Sequence, residues 1–141
     1  MTQKIIFWIS GPDLIFSIAS NFHKFNNAKL HAIYEIPYRN NDFFQKQEFV
    51  NFESTWNYFE NIKKNQKLDL EYLSQFEKRF NVNLWKLAIN DRYFYYYNDF
   101  YQFSKTEILS ILTQECKLFE KILDEVKPDF FITFDTPHHF N

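Results

Sequence analysis

The first apolar run, Lys4-Ile5-Ile6-Phe7-Trp8-Ile9, is short, β-branched and aromatic, and it stops at Ser10-Gly11-Pro12-Asp13. That is the pattern of a buried strand closed by a turn. Ser10 suits an N-cap and Asp13 the reciprocal position of a capping box, so a helix is predicted to follow, to about Phe25. Its apolar face is read as Leu14, Ile15, Ile18, Ala19 and Phe22. Asn26-Asn27 ends it, and residues 29–36 alternate as a second strand. Leu30, Ala32, Tyr34 and Ile36 point one way, Lys29, His31 and Glu35 the other, with Ile33 as the exception. Strand, helix and strand in this space form the βαβ unit of a parallel sheet.

Residues 37–47 are polar and predict a mobile loop. A helix is expected over 54–64 from Trp56, Phe59 and Ile62, and a second from the N-cap Asp69, carrying Leu70, Leu73, Phe76 and Phe80. Asn81-Val82-Asn83 separates it from a short helix near Leu84. Ser104-Lys105-Thr106-Glu107 is a further capping box, opening a helix with the stripe Ile108, Ile111, Leu112, Cys116, Phe119, Ile122, Leu123 and Val126. Lys127-Pro128 stops that helix, and residues 130–134 read as another buried strand. Thr136-Pro137 then resembles the start of a new helix. The expectation is an α/β, Rossmann-like parallel sheet of three or four strands flanked by helices. Residues 1–141 would be one N-terminal domain, incomplete relative to a longer two-domain protein or completed by a partner.

Composition narrows the chemistry. The net charge of -2 carries no basic excess for nucleic acid. One cysteine, Cys116, excludes an internal disulfide and a thiolate zinc cluster, and points to a reducing setting. One glycine, Gly11, is too few for a dinucleotide fingerprint or a P-loop. No segment has the ~20 continuous apolar residues of a membrane span.

The order of elements resembles the N-terminal half of capsular or surface polysaccharide biosynthesis proteins of the two-domain, B-type glycosyltransferase-like class. The resembling pieces are Lys4-Ile5-Ile6-Phe7-Trp8-Ile9, Asp69-Leu70-Glu71-Tyr72-Leu73 with Phe76-Glu77, Asn83-Leu84-Trp85-Lys86-Leu87, Asp91-Arg92, and the helix running into Lys127-Pro128-Asp129-Phe130-Phe131-Ile132-Thr133. The resemblance implies an acceptor-side domain that takes a glycan or lipid-linked sugar, at the cytoplasmic side and peripheral to the inner membrane face. The nucleotide-sugar donor would bind a second domain that this sequence does not contain, and this chain would hold no cofactor or metal of its own. Two other readings keep the fold: a non-catalytic interaction module, and part of a nucleotide-sugar epimerase-like enzyme.

In an open α/β sheet, ligands sit beyond the carboxyl ends of the strands. Ser10, Gly11 and Asp13 follow the first strand and are candidate ligand contacts, with Gly11 permitting close backbone approach. Asp135, His138 and His139 follow the last strand and are candidate general bases toward a sugar hydroxyl. Arg92, one of three arginines, is a further candidate contact through its planar fork. Residues 93–103 hold eight aromatics in eleven positions, suited to sugar faces, core or an interface. Uncovered, that run and residues 130–134 would promote self-association. Cys116 lies on a buried stripe and reads as packing, and His23 and His31 receive no function.

Overall fold

The computed structural model describes residues 2–10, 14–25, 27–35, 41–63, 66–90 and 103–133. The elements are β1 (Lys4–Ile9), α1 (Leu14–Phe25), β2 (Lys29–Tyr34), α2 (Asn41–Lys46), β3 (Ser54–Asn57) and α3 (Tyr58–Asn61), followed by α4 (Leu70–Phe80), α5 (Leu84–Asn90), α6 (Lys105–Val126) and β4 (Phe130–Ile132). The described residues fall into two compact units. One draws on Met1–Asn61 and Ile122–Asp135, the other on Ile62–Lys121.

The first unit contains a four-stranded, all-parallel sheet of order β3-β2-β1-β4, an α/β Rossmann-like arrangement. Lys4 pairs with Lys29 and Ile9 with Tyr34, so the two longest strands run in full register. Ile5, Phe7 and Ile9 join Leu30, Ala32 and Tyr34 against Ile15, Phe16 and Ala19 of α1. Each fully buried large apolar side chain contributes about 1.5–3 kcal/mol. The opposite face is also covered: Ile6, Trp8 and Ile33 are buried, and Trp8 meets Tyr58 edge-on at 5.7 Å.

Several expectations require correction. Residues 54–57 form a strand and not the first turn of a helix, because pairing to β2 overrides the apolar spacing of Trp56, Phe59 and Ile62. Among the described residues of 54–64, only Tyr58–Asn61 is helical. Within 37–47, α2 replaces a loop, its Phe44 buried against Phe16 and Tyr34. The buried stripe of α1 includes Ile15, Phe16 and Ala19, whereas Leu14 and Ile18 are exposed. Leu70, Phe80 and Leu123 are likewise exposed. His31 is buried, since a parallel sheet covered on both faces has no outward side at its centre. The last strand is the reverse case: β4 is an edge, and Phe130 and Phe131 are 53% and 39% exposed.

The second unit is helical, and local chemistry explains its boundaries. Asp69 accepts from the Tyr72 amide at 3.0 Å, and Asn81 closes α4 in the left-handed region with φ 53°. Glu77 accepts from the Leu84 amide at 2.7 Å, tying the end of α4 to the start of α5. The Ser104–Glu107 box forms in both directions, at 2.7 and 3.2 Å. Leu73, Leu84, Ala88, Ile108, Ile111, Leu112 and Cys116 make the core. No helix among the described residues is long and apolar enough to cross a membrane.

Candidate functional site

Parallel pairing sends the carboxyl ends of all four strands to one edge. From β1 the chain proceeds to β2 and then β3 on one side, whereas β4 pairs on the other. The strand order therefore reverses at β1, the position where open α/β sheets form a crevice. Ser10 leaves β1 and Thr133 leaves β4 at this edge, and Ser10 is exposed. Gly11, Asp13, Arg92, Asp135, His138 and His139 lie outside the described residues, as does the aromatic segment 93–102.

The described part of the edge holds a cavity of about 370 Å³. Tyr34, Thr55, Asn57, Glu60, Gln47 and Phe52 are among its lining residues. Tyr34 and Asn57 are register partners at the ends of β2 and β3, which places both side chains on one face of the sheet. The Tyr34 ring is wedged between Phe44 at 5.1 Å and Phe52 at 6.2 Å. Its Oη is buried and makes no hydrogen bond. Burial pushes this phenol up to about 12, so it keeps its proton and remains both donor and acceptor.

Asn57 is fixed by its own cap. Its Oδ1 accepts from the Glu60 amide at 3.3 Å, and its carbonyl accepts from Asn61 Nδ2 at 2.7 Å. This assigns the other end of the amide as Nδ2, which is buried and without a partner. Gln47 braces the facing loop, donating from Nε2 to the Val50 carbonyl and accepting the Val50 amide on Oε1, at 2.8 and 2.9 Å. A buried polar atom without a partner costs about 1–3 kcal/mol. Two such atoms on one small cavity can be met there by solvent or by the polar groups of a ligand. Among the described lining residues Glu60 is the one charged group, so a hydroxyl fits better than a phosphate.

Neither Tyr34 nor Asn57 was singled out from sequence. Tyr34 reads there as one more alternating core residue, and Asn57 falls in a stretch assigned to a helix. A wider, shallower depression of about 650 Å³ lies beside Phe43, Lys46 and Phe49; Gln47 borders both, and no described residue lining the depression carries an orphaned buried group.

Cys116 is packed in the helical core, and burial pushes its thiol up to about 12, which leaves it unreactive near neutral pH. Tyr72 donates to Glu120, and Glu120 also pairs with Arg79. Lys117 bonds Asp69 at 2.7 Å and lies over the Tyr72 ring. These groups satisfy one another and tie α4 to α6. Among the described residues no group of three or more His, Cys, Asp or Glu side chains is placed to hold a metal. No family model, curated protein or solved structure matches the chain.

Proposed function

We propose that this chain is the acceptor-side, Rossmann-like part of a glycosyltransferase-like protein of surface-polysaccharide biosynthesis, and that it holds a hydroxyl-rich glycan at the carboxyl edge of its sheet. The observation that carries the reading is the cavity at β2 and β3 with Tyr34 Oη and Asn57 Nδ2 buried and unpartnered. A sugar hydroxyl can accept from Asn57 while exchanging donor and acceptor roles with Tyr34, and Thr55 and Glu60 extend the polar wall. Phe44 and Phe52 supply the apolar surface that a pyranose face requires.

The nucleotide-sugar donor would bind a second domain, as the family resemblance implies, and no Lys or Arg is among the described residues lining this cavity. Asp135, His138 or His139, following β4, would take the proton from the acceptor hydroxyl during transfer. Ser10, Gly11, Asp13 and Arg92 would border the acceptor path. The setting is cytoplasmic, beside the membrane that carries the lipid-linked acceptor.

Calorimetric titration of the full chain with neutral oligosaccharides tests this. Saturable binding is expected, weakened at least about tenfold by Tyr34→Phe, by analogy with sites built to pair a hydroxyl. Binding unchanged in both Tyr34→Phe and Asn57→Leu, with the fold intact by circular dichroism, would overturn the assignment. So would an absence of binding across a panel of neutral sugars.

A further inference from the structure

A second cavity, of about 250 Å³, lies at the opposite, amino edge of the sheet. Lys4, Lys29, His31, Glu53, Ser54, Trp56, Glu125 and Val126 line it, so β1, β2, β3 and the end of α6 each contribute. His31 is 6% exposed, and neither Nδ1 nor Nε2 has a hydrogen-bond partner. Its ring stacks on Trp56 at 6.3 Å, with 28° between the planes. A neutral imidazole has one donor and one acceptor, and leaving both unmet is costly unless something fills the space beside it.

The lining identifies the chemistry. Lys4 Nζ donates to the Val126 carbonyl at 2.9 Å, which engages one of its three N–H groups and closes the carboxyl end of α6. The Ser54 hydroxyl adds a further donor. Lys29 pairs with Glu53 at 3.0 Å, about half exposed on both sides, so that carboxylate is neutralised at the rim. Glu53 raises and Lys4 and Lys29 lower the proton affinity of the imidazole, and Glu125 faces the cavity from α6. Two ammonium groups, the Ser54 hydroxyl and a His31 ring that donates from both nitrogens once protonated suit a ligand made of acceptors.

The described lining carries two ammonium groups and two carboxylates, and so balances before a ligand enters. An added monoanion keeps that balance if a proton enters with it, and His31 is the group able to take the proton near neutral pH. We propose that this amino-edge cavity binds a small monoanionic oxyanion, and that His31 becomes protonated as the anion enters, so that both ring nitrogens turn into donors. Burial depresses the empty-state basicity of His31, with Lys4 and Lys29 adding to the effect and Glu53 opposing it. An anion beside the ring reverses that balance. The site shares no described lining residue with the glycan cavity, and the proposal stands without the glycan reading.

The test uses the full chain in chloride-free zwitterionic buffer, titrated with sodium acetate and, separately, sodium phosphate. The His31 imidazole is followed by NMR, and binding heat is measured in two buffers of different ionisation enthalpy. Acetate should bind saturably in the millimolar range and take up a proton. Binding should tighten up to about tenfold for each pH unit lowered between the free and bound titration midpoints of His31. Acetate and phosphate differ in size and charge, so their relative affinities distinguish a carboxylate from a phosphate source.

Lys4→Met should weaken binding at least tenfold, and His31→Gln should keep a donor but remove the pH dependence and the proton uptake. Absence of a saturable His31 shift in the unaltered protein with either anion overturns the proposal, whatever the variants do. Binding without proton uptake, or with the same pH slope in folded His31→Gln, also overturns it.

Discussion

A buried imidazole without a hydrogen bond has a defined consequence for stability. The folded His31 binds a proton less readily than its ordinary value of 6.5, because burial removes water from the charged form. The unfolded chain then binds more protons than the folded chain as pH falls through about 6.5, and stability falls with it. The contribution is complete above that value and lost downward toward the depressed folded value. In oxyanion-free buffer the unfolding temperature should therefore drop between about pH 7 and pH 5. His31→Gln should flatten that part of the dependence, and an unchanged slope in the variant would show that other groups control it. Tyr34 gives the complementary prediction. Its hydroxyl is buried without a partner, so Tyr34→Phe should leave stability unchanged or raise it by about 1 kcal/mol in a chemical melt. A loss of 2 kcal/mol or so would mean that the hydroxyl is already satisfied in the free protein.

At the scale of elements, the legible parts are those set by local chemistry. The Ser104–Glu107 box is visible in the sequence and forms as read, so Ser104→Ala should destabilise by about 1 kcal/mol in urea unfolding. An effect near zero would mean that tertiary packing alone holds the start of α6. Asp69 and Asn81 bound α4 for the same local reasons, and β1 is a compact apolar run ended by a turn signal. What sequence could not supply depends on partners distant in the chain. Residues 54–57 carry mixed propensity, and their strand state follows from lying beside His31 through Tyr34. The exposure of β4 follows from its edge position, which the run Phe130-Phe131-Ile132 does not encode. The candidate cavities were hidden for a related reason. Tyr34 and Asn57 are 23 positions apart and meet only through parallel register, whereas His31 looks solvent-facing until both faces of the sheet are covered.

At the scale of the molecule, the sheet has two edges, and β4 offers one of them for three residues only. Shortness is a common protection for an edge, but Phe130 and Phe131 alternate across the two faces and both expose large apolar surface. Charge gives limited opposition, since the chain carries a net -2 at pH 7 with an isoelectric point near 6.1. Repulsion between copies vanishes near that point, while the apolar edge is unaffected by pH. Self-association should therefore be strongest close to pH 6 and weaken toward pH 8, where added negative charge separates the copies. The contribution of the edge can be separated from that of net charge. Phe131→Lys places a cation on β4 and moves the isoelectric point upward, whereas a lysine at exposed Gln75 of α4 makes the same charge change in the other unit. Light scattering of the two variants, each at its own isoelectric point, should show association reduced for Phe131→Lys and retained for Gln75→Lys. Equal association in both would place the contact elsewhere than β4, and a monomer at every pH would remove the argument from the exposed edge altogether.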